Sequence, residues 1–145
     1  MPDLLSYREA SLGDGLLLAA MNQRLIRDEG HSNRMSLAEL EDRVRTWLAS
    51  DYKAIIFEQD GHDCGYALFR DEPDHIYLRQ FFVEEGFRRR GIGRAALGWL
   101  SSEVWLGRRI LVQVLSGNSA GLAFWRSTGF GEYSLTLQKE ACRGG

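Results

Sequence analysis

With 145 residues, 44% of them hydrophobic and 26% charged, the chain has the size and balance of one ordinary globular domain (1–145) and no room for a second core. Its formal net charge is -2 and its pI about 5.9, so no bulk field recommends nucleic acid or an anionic membrane as partner, and any anion site must be local. Cys64 and Cys142 lack CxxC spacing, and His31, His62 and His75 form no ligand pattern, so neither a disulfide nor a metal site is expected.

Met1 to Ala10 has neither the basic nor the apolar region of a signal segment, and the longest apolar stretch, Leu16 to Met21, is too short for a bilayer; a cytoplasmic protein is expected. Leu4 to Ala10 reads as a first strand. Asp14 is placed to cap a helix whose apolar positions Leu17, Leu18, Met21 and Leu25 recur at helical spacing until Gly30 ends it. Ser36-Leu37-Ala38-Glu39 is a capping box opening a second helix, with Leu37, Leu40, Val44, Trp47 and Leu48 as its buried stripe. The two helices are expected side by side. From Tyr52 the period changes: Ala54 to Phe57 is a short strand, Asp60-Gly61 a hairpin turn, Cys64 to Phe69 the return, and His75 to Val83 a third consecutive strand. Gly91 to Trp105 then reads as a helix, Ile110 to Leu115 as a buried strand, Ser119 to Ser127 as a helix closed by Gly129, and Phe130 to Leu137 as a last strand or pair of strands. This order predicts an α/β fold with a mixed sheet and helices on both faces.

The segment with most chemical content is Phe81 to Arg94, a strand, a loop and the first turn of a helix. A helix start has unpaired N–H groups and the positive end of a dipole. Gly91 and Gly93 would let several N–H groups reach the oxygens of a diphosphate, and Arg88, Arg89 and Arg90 would add charge-assisted bonds. Two glycines alone are equally compatible with close helix packing, and the arginines with a solvated face. A dinucleotide-binding unit fits less well. Its glycine fingerprint follows a strand directly and needs an acid about 20 residues on, whereas here a charged connection intervenes and the next strand ends in Leu115-Ser116-Gly117-Asn118.

Arg88, Gly91 and Gly93 fill the pattern Arg/Gln-x-x-Gly-x-Gly/Ala, and Asn118 is followed by Leu122-Ala123-Phe124-Trp125-Arg126-Ser127-Thr128-Gly129-Phe130. In both motifs, over roughly residues 51 to 138, the chain resembles the GNAT family of N-acetyltransferases. The resemblance implies a sheet of six to seven mostly antiparallel strands with a central parallel pair, and about four helices. It implies acetyl-CoA as co-substrate, in a cleft where the strand ending at Val83 splays from the strand ending at Leu115. Backbone groups of Phe82 and Val83 would pair with the pantetheine arm, Arg88, Arg89, Arg90, Gly91, Ile92, Gly93 and Arg94 would cradle the pyrophosphate, and Asn118 would contact the pantetheine. The partner would be an amine-bearing acceptor, and a homodimer is compatible with the family.

Transfer to an amine needs a neutral nucleophile, a donor for the developing oxyanion and an acceptable leaving group. The Val83 N–H is a candidate oxyanion donor. A lysine-like amine, with a pKa near ~10.4, needs a base or a desolvating site; Glu84, Glu29 and His31 are candidate bases. The family often places a Tyr where Trp125 stands, to protonate the thiolate. An indole N–H can hold the sulfur but is no useful acid, so Tyr77 and Tyr133 are candidate substitutes; a thiol with a pKa near ~8.5 also leaves tolerably as its anion. The acids Asp28, Glu29, Asp42 and Asp51 suggest a cationic acceptor. A non-catalytic acyl-CoA-binding module and, more remotely, an NAD-dependent oxidoreductase are the competing readings.

Overall fold

The computed structural model describes residues 5–30 and 33–142. Five strands form one sheet in chain order: β1 (Leu5–Glu9), β2 (Tyr52–Gln59), β3 (His62–Asp71), β4 (Ile76–Val83) and β5 (Ile110–Val112). The first four are antiparallel neighbours, and β4 pairs β5 in parallel. The β2–β3 hairpin turns through Asp60 and Gly61, both at positive φ (52° and 82°), the backbone that a two-residue hairpin needs to match strand twist.

The alternation of β2 divides the core. Ala54 and Ile56 face helices α1 (Gly15–Asp28) and α2 (Leu37–Leu48), meeting Leu18, Met21 and Val44. Ile55 and Phe57 face the other way, towards Ile92, Ala96 and Leu97 of α3 (Ile92–Trp99) and Trp125 of α4 (Ser119–Ser127). Helices thus cover both faces, as expected. Ser36 caps α2 as its sequence predicts, its Oγ accepting the Glu39 N–H at 3.1 Å while Glu39 accepts the Ser36 N–H at 2.9 Å. Asp14 behaves differently. It stands at the cap position of α1, but its carboxylate accepts the Ser11 N–H at 2.8 Å and an Arg8 N–H at 3.0 Å instead of a helix N–H.

Three expectations need correction. The sheet has five described strands rather than six to seven, because Phe130 to Leu137 forms no strand. A period-two segment settles as a strand only where ladder and apolar face both find partners. β5 offers a ladder of only three residues, Ile110, Leu111 and Val112, and Tyr133, Leu135 and Leu137 remain 71%, 78% and 83% exposed. For the same reason Ile110 to Leu115 yields only Ile110–Val112 as strand. The helix predicted from Gly91 to Trp105 changes hydrogen bonding after Trp99: a π-helical turn, Leu100–Val104, sends the Trp105 N–H to the Leu100 carbonyl at 2.7 Å and seats Trp105 in the core, 1% exposed. Among the described residues no helix is long and apolar enough to cross a membrane, and no His, Cys, Asp and Glu group could hold a metal ion.

Gly65 lets β3 approach the end of β4. A Cβ there would lie 2.2 Å from the Phe82 carbonyl oxygen and 3.1 Å from the Val83 Cα, both backbone atoms that cannot step aside. Gly65→Ala is therefore expected to lose about 3 kcal/mol of stability, read as a lowered urea midpoint. Burial also pushes the Cys64 thiol from 9.0 up to about 11. Its proton is then held more tightly in the folded state than in the unfolded, so its contribution is full below pH 9 and is lost as pH rises to 11. Alkylation at pH 8 is expected to mark exposed Cys142 and spare Cys64 until the chain unfolds, and Cys64→Ala to lessen the alkaline loss of stability.

Candidate functional site

The site begins at a fault in β4. Phe69 pairs with Leu78 but Leu68 pairs with Gln80, so Arg79 is an extra residue without an opposite. Before it, the Ile76 N–H donates to the Arg109 carbonyl beside β5, at 2.8 Å. Beyond it, the Glu84 N–H donates to the Cys64 carbonyl of β3 at 2.7 Å. Because bonding groups alternate along an antiparallel strand, Phe82 and Gln80 turn their backbone groups to β3, and Phe81 and Val83 turn theirs away from it. The rungs to β5 stop at Leu78–Val112, so Phe81 and Val83 border a split in the sheet. Val83 thus lies beside the split. Phe82 does not: its backbone is committed to β3, its ring, 3% exposed, packs on the α1–α2 side, and Phe81 stands beside the split instead.

A loop leads from β4 to α3. Arg89 and Gly91 both have left-handed backbone, φ 64° and 75°, and Gly91 is the N-cap of α3 with no side chain bonded to the helix start. The first intrahelical bond runs from the Ala95 N–H to the Gly91 carbonyl at 2.9 Å, so the N–H groups of Ile92, Gly93 and Arg94 precede the ladder and are available to an anion. The two glycines serve different ends. A Cβ on Gly91 would meet nothing within 4 Å, so its need is conformational; one on Gly93 would press on the Phe124 ring at 3.0 and 3.1 Å, so its absence lets α3 and α4 pack.

The arginines also divide. Arg88 donates from Nε to the Val83 carbonyl at 2.8 Å, pairs through Nη2 with Asp28 and lies over Phe82, so its guanidinium fastens the loop to α1. One helical turn away Arg24 pairs with Glu84 at 2.7 Å, completing a two-point attachment of opposite polarity. Arg94 donates to the Ser127 carbonyl at 3.0 Å, tying α3 to the end of α4. Arg90 lies over Phe87, and Arg89 has no ion pair among the described residues, which leaves these two as the loop's cations for an anion. At the start of α4, the Asn118 Oδ1 accepts the Gly121 N–H at 3.0 Å, a capping bond that leaves its amide N–H groups to donate.

The model of the Acetyltransferase (GNAT) family matches residues 18–130. The chain belongs to the GNAT acetyltransferase family. Among solved structures it is similar to a possible acetyltransferase from Clostridium difficile 630, at 16% identity over 97% of this chain and 99% of that one, with TM-score 0.77. It is also similar to a predicted acetyltransferase with acetyl-CoA from Clostridium acetobutylicum, at 21% identity over 94% and 96%, TM-score 0.74. An aminoglycoside N-acetyltransferase, AAC(6')-Iy, in complex with CoA gives 15% identity over 98% of both chains and TM-score 0.76. No curated protein sequence matches the chain.

Against this GNAT frame the remaining candidates separate. Trp125 is 9% exposed and enclosed by Phe81, Phe124 and Phe130 at ring distances of 5.4, 5.0 and 4.9 Å, so its indole is part of the core wall behind the split. Tyr77 lies six residues before Val83, about 20 Å along the strand, and its hydroxyl donates to Gln113 at 3.0 Å. Tyr133 is 71% exposed with Arg109 over its ring. Neither tyrosine is brought to Val83. Glu84 is beside it, with its Oε1 already receiving Arg24 Nε at 2.8 Å. Glu29, at the C-cap of α1, is close enough for its charge to act on the Tyr66 hydroxyl. His31 lies outside the described residues.

Sequence reasoning gave Phe124 no role beyond its place in a motif, and missed Arg24 and a polar group on the α1–α2 side made by Asn22, Arg43, Tyr66 and Gln80. Two of these carried a signal: Asn22 interrupts the apolar stripe of α1, and Gln80 interrupts an apolar strand. The glycine roles give a test by urea unfolding. Gly91→Ala is expected to cost about 1–2 kcal/mol through its left-handed backbone, while Gly93→Leu, which drives into Phe124, is expected to cost more and to alter the near-ultraviolet signal of the aromatic cluster.

Proposed function

We propose that the protein transfers the acetyl group of acetyl-CoA directly to a primary amine in a ternary complex. The observation that carries this reading is the coincidence of the split beyond Leu78–Val112 with the uncapped start of α3. The N–H groups of Ile92, Gly93 and Arg94, with Arg89 and Arg90, would hold the pyrophosphate, and the exposed β4 edge at Phe81 and Val83 would pair with the pantetheine amides. Asn118, at the opposite rim, would donate its amide N–H to the same arm. The Val83 N–H would then face the thioester oxygen as it gains charge, in a wall kept dry by Phe81, Phe124 and Trp125.

Proton handling follows from what surrounds the split. Tyr77 and Tyr133 are engaged elsewhere, with Gln113 and Arg109, so the thiolate would leave as its anion, which a thiol pKa near ~8.5 allows. Glu84, the nearest carboxylate in sequence to Val83, would accept the ammonium proton through water once Arg24 yields one of its two contacts. The enclosure of Trp125 also favours a second reading, a non-catalytic acyl-CoA binder, which predicts binding without turnover.

Acetyl-CoA at ~100 times its dissociation constant is expected to stabilise the fold by about 2.7 kcal/mol, a rise of several degrees in Tm. Gly91→Asp, which sets a carboxylate at the anion site, is expected to abolish the rise, and Arg89→Ala to reduce it. Arg88→Ala should reduce it too, but by loosening the loop, so that Asp28→Asn reproduces part of its effect. A folded parent with no shift at saturating acetyl-CoA sinks the reading; a shift without CoA release over a broad amine panel selects the binder.

A further inference from the structure

The α1–α2 face of the sheet carries two arginines, Arg43 and Arg79, that make no ion pair among the described residues. Tyr66, fully buried, donates its hydroxyl to Gln80 Oε1 at 2.8 Å, and Asn22, 5% exposed, accepts from Arg43 Nη2 at 2.9 Å. The Arg43 Nε is buried without a hydrogen-bond partner. Its guanidinium carbon lies 4.6 Å from the centre of the Trp47 ring, and that of Arg79 lies 4.5 Å from the same ring. Arg79 donates to the Tyr52 hydroxyl at 3.2 Å. Arg24, Arg70 and Arg88 each have a carboxylate partner, whereas neither Arg43 nor Arg79 makes an ion pair among the described residues. Burial first, and the charge of Arg79 second, hold the Arg43 guanidinium below its ordinary pKa.

Two like charges on one indole, one of them with a buried donor left unmatched, are costly until an anion joins them. Both guanidinium carbons lie within 4.6 Å of the Trp47 ring centre, and the donors of Arg43 and Arg79 beyond those given to Asn22 and Tyr52 suit a planar two-oxygen anion. Position supplies the rest. Arg79 is the extra residue of β4, next to the last rung to β5, and its guanidinium reaches over Trp47 to the Tyr52 hydroxyl, so an anion held there lies on the face of the sheet opposite α3 and α4. Val83 lies four residues further, about 13 Å along the strand.

We infer that Arg43 and Arg79 bind the carboxylate of the acceptor, and that the acceptor is an extended aminocarboxylate with its amine at the opposite end of the chain. This specificity rests on the acetyl-transfer reading of the split. It reverses the cationic acceptor suggested by the acids of the sequence, of which Asp28 is already engaged by Arg88.

The test uses the full chain with CoA bound and the ω-amino acids from glycine to 6-aminohexanoate, each against its carboxamide. Calorimetry reads binding, and release of CoA from acetyl-CoA reads transfer. In the parent the longer aminocarboxylates should bind about tenfold more tightly than their carboxamides and show the same preference in kcat/KM. Exposed Arg79 is the variant site least able to disturb folding: Arg79→Gln should bring the ratio close to one through KM while leaving the Kd for CoA unchanged. Carboxamides bound as tightly as carboxylates, or a preference that survives Arg79→Gln, overturn the inference. The two readings fail separately. Transfer to amines without carboxylate preference keeps the transferase and removes the anion site; Arg79-dependent carboxylate binding with no transfer to any amine keeps the anion site and removes the transferase.

Discussion

The extra residue at Arg79 governs most of what lies around the site. Side chains and backbone groups alternate with a period of two along a strand, so one added residue exchanges the two faces and the two edges of everything beyond it. Before the fault Ile76 and Leu78 face the α3–α4 core; after it Phe81 and Val83 do, and Phe82 joins the α1–α2 core. The same step releases β4 from β5, because a strand that bends at a bulge cannot keep a straight parallel neighbour. Polar backbone edge within reach of a core is otherwise rare, since unpaired buried N–H and C=O groups are costly. An open strand edge of this kind is one with which an extended ligand bearing amide groups would pair.

Around this fault the structure distributes its arginines by task. Arg24 and Arg88 bind α1 to both ends of the connection after β4, and because their acidic partners alternate, Glu84 with Arg24 and Asp28 with Arg88, the attachment leaves no net charge. Each is a partly exposed pair worth under about 1 kcal/mol, so their use is to fix the position of the loop more than to stabilise the fold. Arg94 performs a similar service between α3 and α4. Near the site, Arg89 and Arg90 in the loop and Arg43 and Arg79 on the opposite face make no ion pair among the described residues.

The glycines show why a motif is an incomplete description of its own residues. Gly91 is required by its backbone angle and Gly93 by the ring of Phe124, so the two glycines of one motif answer different physical needs. Gly121 belongs with them: a Cβ there would lie 2.4 Å from the Asn118 amide nitrogen, so the capping of α4 depends on its absence.

What the sequence determined by itself is what depends on near neighbours. The capping box of α2, the Asp60-Gly61 turn, the meander of β2, β3 and β4 and the start of α3 at Gly91 are set by contacts over a few residues, and the two motifs in order were enough to indicate the family. The tertiary structure decided what depends on distant partners. The pairing of Arg88 with Asp28 spans 60 positions, so a motif arginine expected at the pyrophosphate became a fastener. Alternation alone promised a strand at Phe130 to Leu137, but strand formation requires a neighbour, and β5 is too short to be one. The fault at Arg79 was illegible because a bulge is defined by two strands at once: only the offset between β3 and β4 shows which residue is extra, and with it which backbone edge is left open.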